Sequence, residues 1–257
     1  MTWEVYALRW ATDPGRRAFQ WFLGGAGGEA PMPVAYHAFL LRGPGGLVVM
    51  DTAADAARAA RYGKAAFRGL DAALARLGAR PAEVRTVIQT HLHWDHAGGF
   101  ALFPAATFHL QARELAYAAG PAMRHAALRA GYEAADIAEA TALLHAGRLR
   151  LHEGSVPLAP GLALHRVGGH TDGLQIAELR TRRGRMCLAT DAVAHRLNLE
   201  RRTPFPVLFH VGEALDAFDT ALSLADAPDL VIPGHDPWVV DAHPAVPGGE
   251  GWLARID

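Results

Sequence analysis

With a single cysteine, Cys187, the chain cannot form an intramolecular disulfide. Long apolar runs are missing too. None approaches the roughly 20 residues needed to cross a bilayer, and the start Met1-Thr2-Trp3-Glu4 lacks the charged-then-apolar pattern of a secretory signal. These absences predict a soluble, cytoplasmic protein with no membrane partner. Excess charge of either sign is also lacking: 25 basic and 26 acidic residues leave a formal net charge of −1. Nothing global therefore draws the chain to nucleic acid, and a small-molecule partner fits better. Lysine is nearly absent, Lys64 being the only one among the basic residues, which reads as a compositional habit. The glycine-rich stretch Gly24-Gly25-Ala26-Gly27-Gly28 has no preceding strand, following helix or lysine, so it reads as a mobile loop and not a phosphate cradle.

What is present is an ordinary globular composition, 51% hydrophobic and 20% charged, enough for a large core. Two apolar runs, 36–41 and 47–50, flank Arg42-Gly43-Pro44-Gly45-Gly46 and predict a β-hairpin. Between residues 65 and 78, Phe67, Leu70, Leu74 and Leu77 recur at steps of three and four, which predicts a helix closed by Gly78 and Pro81. The β-branched run 84–90 predicts a buried strand that delivers the chain to His91. An alanine-rich stretch, 111–144, predicts two or three short helices broken at Gly120-Pro121 and Gly131. Strands are expected at 162–167, 174–179, 186–190 and 230–232, and a helix at 211–225 with Leu215, Phe218 and Leu222 on one face. Strands followed by helices in both halves, without a dividing linker, favour one α/β domain over residues 1–257.

The chemistry concentrates in His91-Leu92-His93-Trp94-Asp95-His96, directly after a predicted strand. In extended chain His91 and His93 project to one side, and Asp95 and His96 lie on the turn that follows, where Gly98 and Gly99 leave the backbone room to double back. Neutral imidazole and carboxylate oxygen are ligands that zinc and iron favour. Three further metal-competent side chains end predicted strands or the turns after them: His170 after Gly168-Gly169, Asp191 after 186–190, and His235 after Pro233-Gly234. That is where α/β folds place their sites.

These motifs resemble the metallo-β-lactamase superfamily. The resemblance rests on His-x-His-x-Asp-His at 91–96, Gly-Gly-His-Thr-Asp-Gly around His170, Asp191, and Pro-Gly-His-Asp around His235. It extends to Val48-Val49-Met50-Asp51-Thr52, whose Asp51 is expected to support the metal loop from behind. It implies an αββα four-layer sandwich and a hydrolase holding two divalent metal ions, zinc foremost. His91, His93 and His170 would hold one ion, Asp95, His96 and His235 the other, and Asp191 would bridge them around an attacking hydroxide. Asp95 is either a ligand only or also a proton shuttle. The branch most similar is the N-acyl homoserine lactonase group, which includes 4-pyridoxolactonase. This implies a lactone or ester substrate; a homodimer is left open. Lactonases of that group place a tyrosine three residues after the bridging aspartate, where this chain has Ala194, so either His195 or His210 stands in as the donor or the substrate differs. A thioester hydrolase of the glyoxalase II type is the alternative, disfavoured by the short tail after His243; a metal-binding protein without catalysis is the remaining one. The substrate wall is expected from the 111–144 helices and the aromatic N-terminal loop, with Trp21, Phe22, Tyr117 and Met123 as its residues.

Overall fold

The computed structural model describes residues 1–257 and is built on two sheets. The first contains β1 (Glu4–Asp13), β2 (Val34–Gly43), β3 (Gly46–Met50), β4 (Thr86–Ile88), β5 (Thr107–Gln111), β6 (Leu149–His152) and β12 (Leu253–Arg255), in the order β12-β1-β2-β3-β4-β5-β6. The second contains β7 (Val156–Ala159), β8 (Leu162–Arg166), β9 (Gln175–Thr181), β10 (Gly184–Thr190) and β11 (Val231–Pro233), in the order β11-β10-β9-β8-β7.

Alternation along β1 and β2 explains the layering, because successive side chains of a strand point to opposite faces. Tyr6, Leu8, Trp10, Tyr36, Ala38 and Leu40 join one core cluster, under α1 (Ala56–Arg61), α2 (Leu70–Arg76), α3 (Ala112–Ala118) and α5 (Ala134–His145). Val5, Ala7, Phe39 and Leu41 join the other, which fills the space between the sheets and continues beneath α7 (Val211–Ser223) and α8 (Trp238–Asp241). The result is helix, sheet, sheet, helix: the expected αββα sandwich.

The expected hairpin is β2–β3, and the expected central and C-terminal strands all form. The alanine-rich stretch becomes α3, a single turn at Pro121–Arg124, α4 (Ala126–Arg129) and α5, with interruptions at Gly120 and Gly131. Two expectations need correction. The helix expected from residue 65 begins only at Leu70, since Ala66 has φ 54° and Phe67 lies outside it. On α7 the buried residues are Ala214, Ala217, Phe218 and Ala221, while Leu222 is exposed, because close packing on the second sheet takes the small side chains. No helix is long and apolar enough to cross a membrane.

Parallel pairing of β3 with β4, and of β10 with β11, brings the ends of four strands to one edge of the sandwich. Backbone strain gathers there. Asp51 (φ 65°) and Ala53 (φ 57°) follow β3, and Thr190 at the end of β10 has φ 43°. Non-glycine residues in such conformations cost on the order of 1–3 kcal/mol each and persist only where surrounding structure enforces them.

Candidate metal centre

At this edge the structure brings together all seven side chains singled out as metal ligands. His91, His93, Asp95 and His96 come from the loop after β4, His170 from the β8–β9 loop, Asp191 from the end of β10 and His235 from the end of β11. None is more than 8% exposed. His93 Nδ1 lies 3.1 Å from His91 Nε2 and 2.9 Å from His170 Nε2. Asp95 Oδ2 lies 3.5 Å from His96 Nε2 and 3.6 Å from His235 Nε2. Asp191 sits between these groups, with Oδ1 3.3 Å from His96 and 3.1 Å from His235, and Oδ2 3.3 Å from His170.

The outward nitrogens of four rings fix their tautomers, because a carbonyl or carboxylate oxygen can only accept. His170 Nδ1 donates to Val207 O (2.7 Å), His235 Nδ1 to Ala35 O (3.0 Å) and His96 Nδ1 to Asp51 Oδ2 (2.8 Å). Thr90 Oγ1 spends its proton on Asp51, at 2.8 and 2.9 Å, so it accepts from His91 Nδ1 at 3.0 Å. Each of these rings therefore aims its Nε2 into the shared space, as metal-ligating histidines do when oriented from behind. His96 Nε2 and Asp191 Oδ1 are buried there without a hydrogen-bond partner. Each orphaned atom costs about 1–3 kcal/mol unless something fills the space between them. The donor set and its orphans fit divalent cations held by imidazole and carboxylate.

Electrostatics point the same way. Burial lowers His91 well below the ordinary imidazole range, and takes His93 down to about 3 with His170 as the next influence. Both stay neutral and available as ligands. Burial would also lower His96, but Asp95, Asp191 and Asp51 overcome it and hold the ring well above that range. Asp95 is held down to about 2: burial works to raise it, and His96 and His235 outweigh that. The carboxylates thus remain charged and call for compensating positive charge.

Two supporting carboxylates hold the ligand loops. Asp51, expected from the sequence to do this, also accepts from Thr90 N (2.8 Å) and Gln89 Nε2 (3.2 Å). Glu114, on the first turn of α3, was not foreseen. Its Oε1 accepts from Leu92 N and Tyr132 Oη, both at 3.0 Å, and its Oε2 from Thr171 Oγ1 (2.6 Å) and Gly173 N (3.1 Å). It ties the His91–His96 loop to the loop bearing His170, and anchors Tyr132, whose ring stands edge-on to His93 at 4.6 Å. The helical sequence pattern marks 114 only as an acid in a helix's first turn. In Gly168-Gly169-His170 the second glycine has φ 83°, and a Cβ there would lie 2.5 Å from the Ala214 backbone, so α7 packs where only glycine fits.

A cavity of about 450 Å³ opens onto His93, Asp95, His170, Asp191 and His235. Trp21 and Tyr117 line it as expected, with Leu128 from α4, and Phe205–Leu208 form a further side that the sequence reading missed. Phe22 and Met123 do not line it; Phe22 is packed in the core. Nor do His195 and His210. His195 caps α6 (Arg196–Glu200): its Nδ1 accepts from Leu197 N, leaving Nε2 to face Asp236 at 3.3 Å. His210 caps α7, accepting from Glu213 N at 3.0 Å, and is exposed. Nearness in sequence to Asp191 does not fix side-chain direction, because the chain turns through 191–193 before His195.

The profile of the metallo-beta-lactamase superfamily matches residues 32–235, which hold the whole ligand set, the second sheet and all of the first except β1 and β12. The chain belongs to this superfamily. An N-acyl homoserine lactonase of Bacillus sp is 31% identical over 136 residues, 51% of this chain and 48% of that protein. The match thus spans about half the length of the curated relative. A solved quorum-quenching N-acyl homoserine lactone lactonase superposes with a TM-score of 0.74 at 22% identity, covering 96% of this chain and 98% of the other. The dizinc quorum-quenching lactonase AidC superposes with a TM-score of 0.62 at 19% identity, over 82% of this chain and 75% of its own. At these identities the structural likenesses speak to fold alone.

Proposed function

We propose that this chain is a dinuclear metal-dependent hydrolase that opens a lactone or a related carboxylic ester. The observation that carries the proposal is the convergence of four inward Nε2 atoms, His93 Nδ1 and the ionised carboxylates of Asp95 and Asp191 beside an open cavity. His91, His93 and His170 would hold one cation, Asp95, His96 and His235 the other, with Asp191 shared between them. When bound, two divalent ions, zinc by donor preference, supply an acidified water and Lewis acidity for the substrate carbonyl.

The chain's own residues do the rest. Trp21, Trp94, Tyr117 and Phe205 enclose an apolar body and limit the water around the reacting group. Asp95 borders both cavity and ligand cluster, which supports a role for its carboxylate in carrying a proton to the leaving alkoxide. With His195 and His210 committed as caps, Ala194 lacking a hydroxyl and the Tyr132 hydroxyl, nearer to His93, spent on Glu114 outside the cavity lining, Tyr36 is the cavity-lining phenol that packs against a ligand ring. Its ring lies 5.3 Å from that of His235, and it borders the cavity. Burial, then the Asp95 charge, raise its pKa, so it stays protonated and can donate to the carbonyl oxygen. Lactone relatives named above support the substrate class.

The test is hydrolysis by the metal-loaded protein across acyl homoserine lactones, aromatic lactones, thioesters and β-lactams, with metal content measured on the same sample. Turnover of a lactone above the others is expected. Turnover confined to thioesters or β-lactams would remove the lactone assignment, and none on any ester would remove the hydrolase.

A further inference from the structure

Besides the ligands, the cavity is bordered by Arg16 and Lys64. Lys64, the chain's only lysine, is placed there by a bridge-like contact in which Thr12 and Ala65 exchange backbone hydrogen bonds at 2.9 Å. Its Nζ donates to Asp13 Oδ2 at 2.9 Å and lies 5.2 Å from the centre of the Tyr36 ring. Arg16 stands beside the same carboxylate and contributes to holding Asp13 below its usual range, after burial, which opposes, and Lys64, which acts with it. Yet no carboxylate lies within ion-pair distance of Arg16, its side chain makes no hydrogen bond, and its Nε is buried without a partner. The guanidinium lies 5.9 Å from the centre of the Phe205 ring, another cavity wall. Two cations thus share one acid, leaving a net positive charge and donors without an internal partner.

We propose that Arg16 and Lys64 form an anion subsite on the cavity wall beside Tyr36 and Phe205, so that the substrate is an ester or lactone carrying a carboxylate in addition to the reacting carbonyl. This rests on the hydrolase reading above and narrows its substrate class. A guanidinium fork matches a carboxylate with two parallel hydrogen bonds, and its weaker hydration makes it the better cation for a partly enclosed site. An unpartnered buried donor is already desolvated, so an incoming carboxylate gains a bond without displacing an internal one. Phe205 and Tyr36 stand between these cations and the ligand rings of His170 and His235, at 6.5 and 5.3 Å, which suits a short apolar spacer between carboxylate and ester.

The experiment is calorimetric binding of α,ω-dicarboxylates, succinate to suberate, and of the matching monocarboxylates, butyrate to octanoate, to the metal-loaded protein. One dicarboxylate, whose length fits the span, is expected to bind about tenfold or more tightly than its monocarboxylate partner. Arg16→Met should erase that advantage while leaving monocarboxylate affinity within about twofold, and Arg16→Lys should restore part of it. Lys64→Met gives an independent reading should Arg16→Met unfold, and it should reduce the advantage as well. Equal binding of every pair, or an advantage that survives in both Arg16→Met and Lys64→Met, would overturn the subsite. The hydrolase reading is judged separately by turnover of neutral lactones. A dicarboxylate preference without any turnover would support the subsite while sinking the hydrolase, and turnover without the preference would do the reverse.

Discussion

Replacing Glu114 should loosen the metal loops although it is not itself a ligand. The carboxylate is fully buried and accepts four hydrogen bonds, two from backbone N–H groups and two from hydroxyls, joining the loops that carry His91–His96 and His170. Glu114→Ala would leave those donors buried and unpaired. The hydroxyls of Tyr132 and Thr171 can rotate toward other acceptors, but the Leu92 and Gly173 amides cannot. At about 1–3 kcal/mol for each unsatisfied donor, the total should come to about 3–5 kcal/mol, as for breaking other buried charged clusters. For a chain of this size that is about 10 °C in Tm. Glu114→Gln keeps the shape and one acceptor oxygen but turns an amide toward the Gly173 N–H, so it should cost about 1–3 kcal/mol. Urea unfolding of metal-loaded and metal-stripped protein, with metal content beside it, reads both effects. Misplaced loops should weaken metal affinity about 10–100-fold in the alanine variant. An alanine variant with the wild-type midpoint and full metal content would refute the clamp.

Four further outcomes are expected. Tyr36→Phe should lower kcat on the best lactone by about 10²–10³ with little change in KM, as loss of a carbonyl donor does, and wild-type kcat would exclude it. His195→Ala and His210→Ala should keep wild-type turnover and each lose about 1 kcal/mol of stability as lost helix caps; a large fall in kcat with unchanged stability would return either to the site. Asp191→Ala should abolish turnover and lower metal occupancy, since its charge serves both groups of ligands, and full activity would remove it. His109 is held down to about 4 by burial, then by His152 and Arg150. Between pH 6.5 and 4 the unfolded chain takes up this proton and the folded one does not, so stability should fall on acidification by about 2 kcal/mol after allowance for screening. Urea midpoints of His109→Gln across that range should show a shallower fall, and an identical slope would refute the assignment.

Much of the centre was legible because its ligands follow strands whose patterns are plain. The β-branched run before His91 and the apolar runs before Asp191 and His235 each announce a strand, and glycines mark the turns. Less legible was β1, where both faces are buried, so aromatics and aliphatics alternate with each other and not with polar residues. The cavity was harder still. Tyr36 and Lys64 reach it from a strand and a loop far from the ligands in sequence, and only the pairing of β1 with β2 and of Thr12 with Ala65 brings them there. Lys64 looked like a compositional accident because rarity says nothing about position. His195 looked functional because it follows Asp191 closely, whereas its direction is set by the helix it caps. Glu114 was hidden because its partners lie 18 to 59 residues away.

Metal content of the reconstituted wild-type chain, measured by elemental analysis against protein concentration, tests the dinuclear centre most directly. Two groups of ligands sharing Asp191 predict about two ions per chain, because the set exceeds what one tetrahedral ion takes. A ratio that holds at about one in excess metal would contradict it.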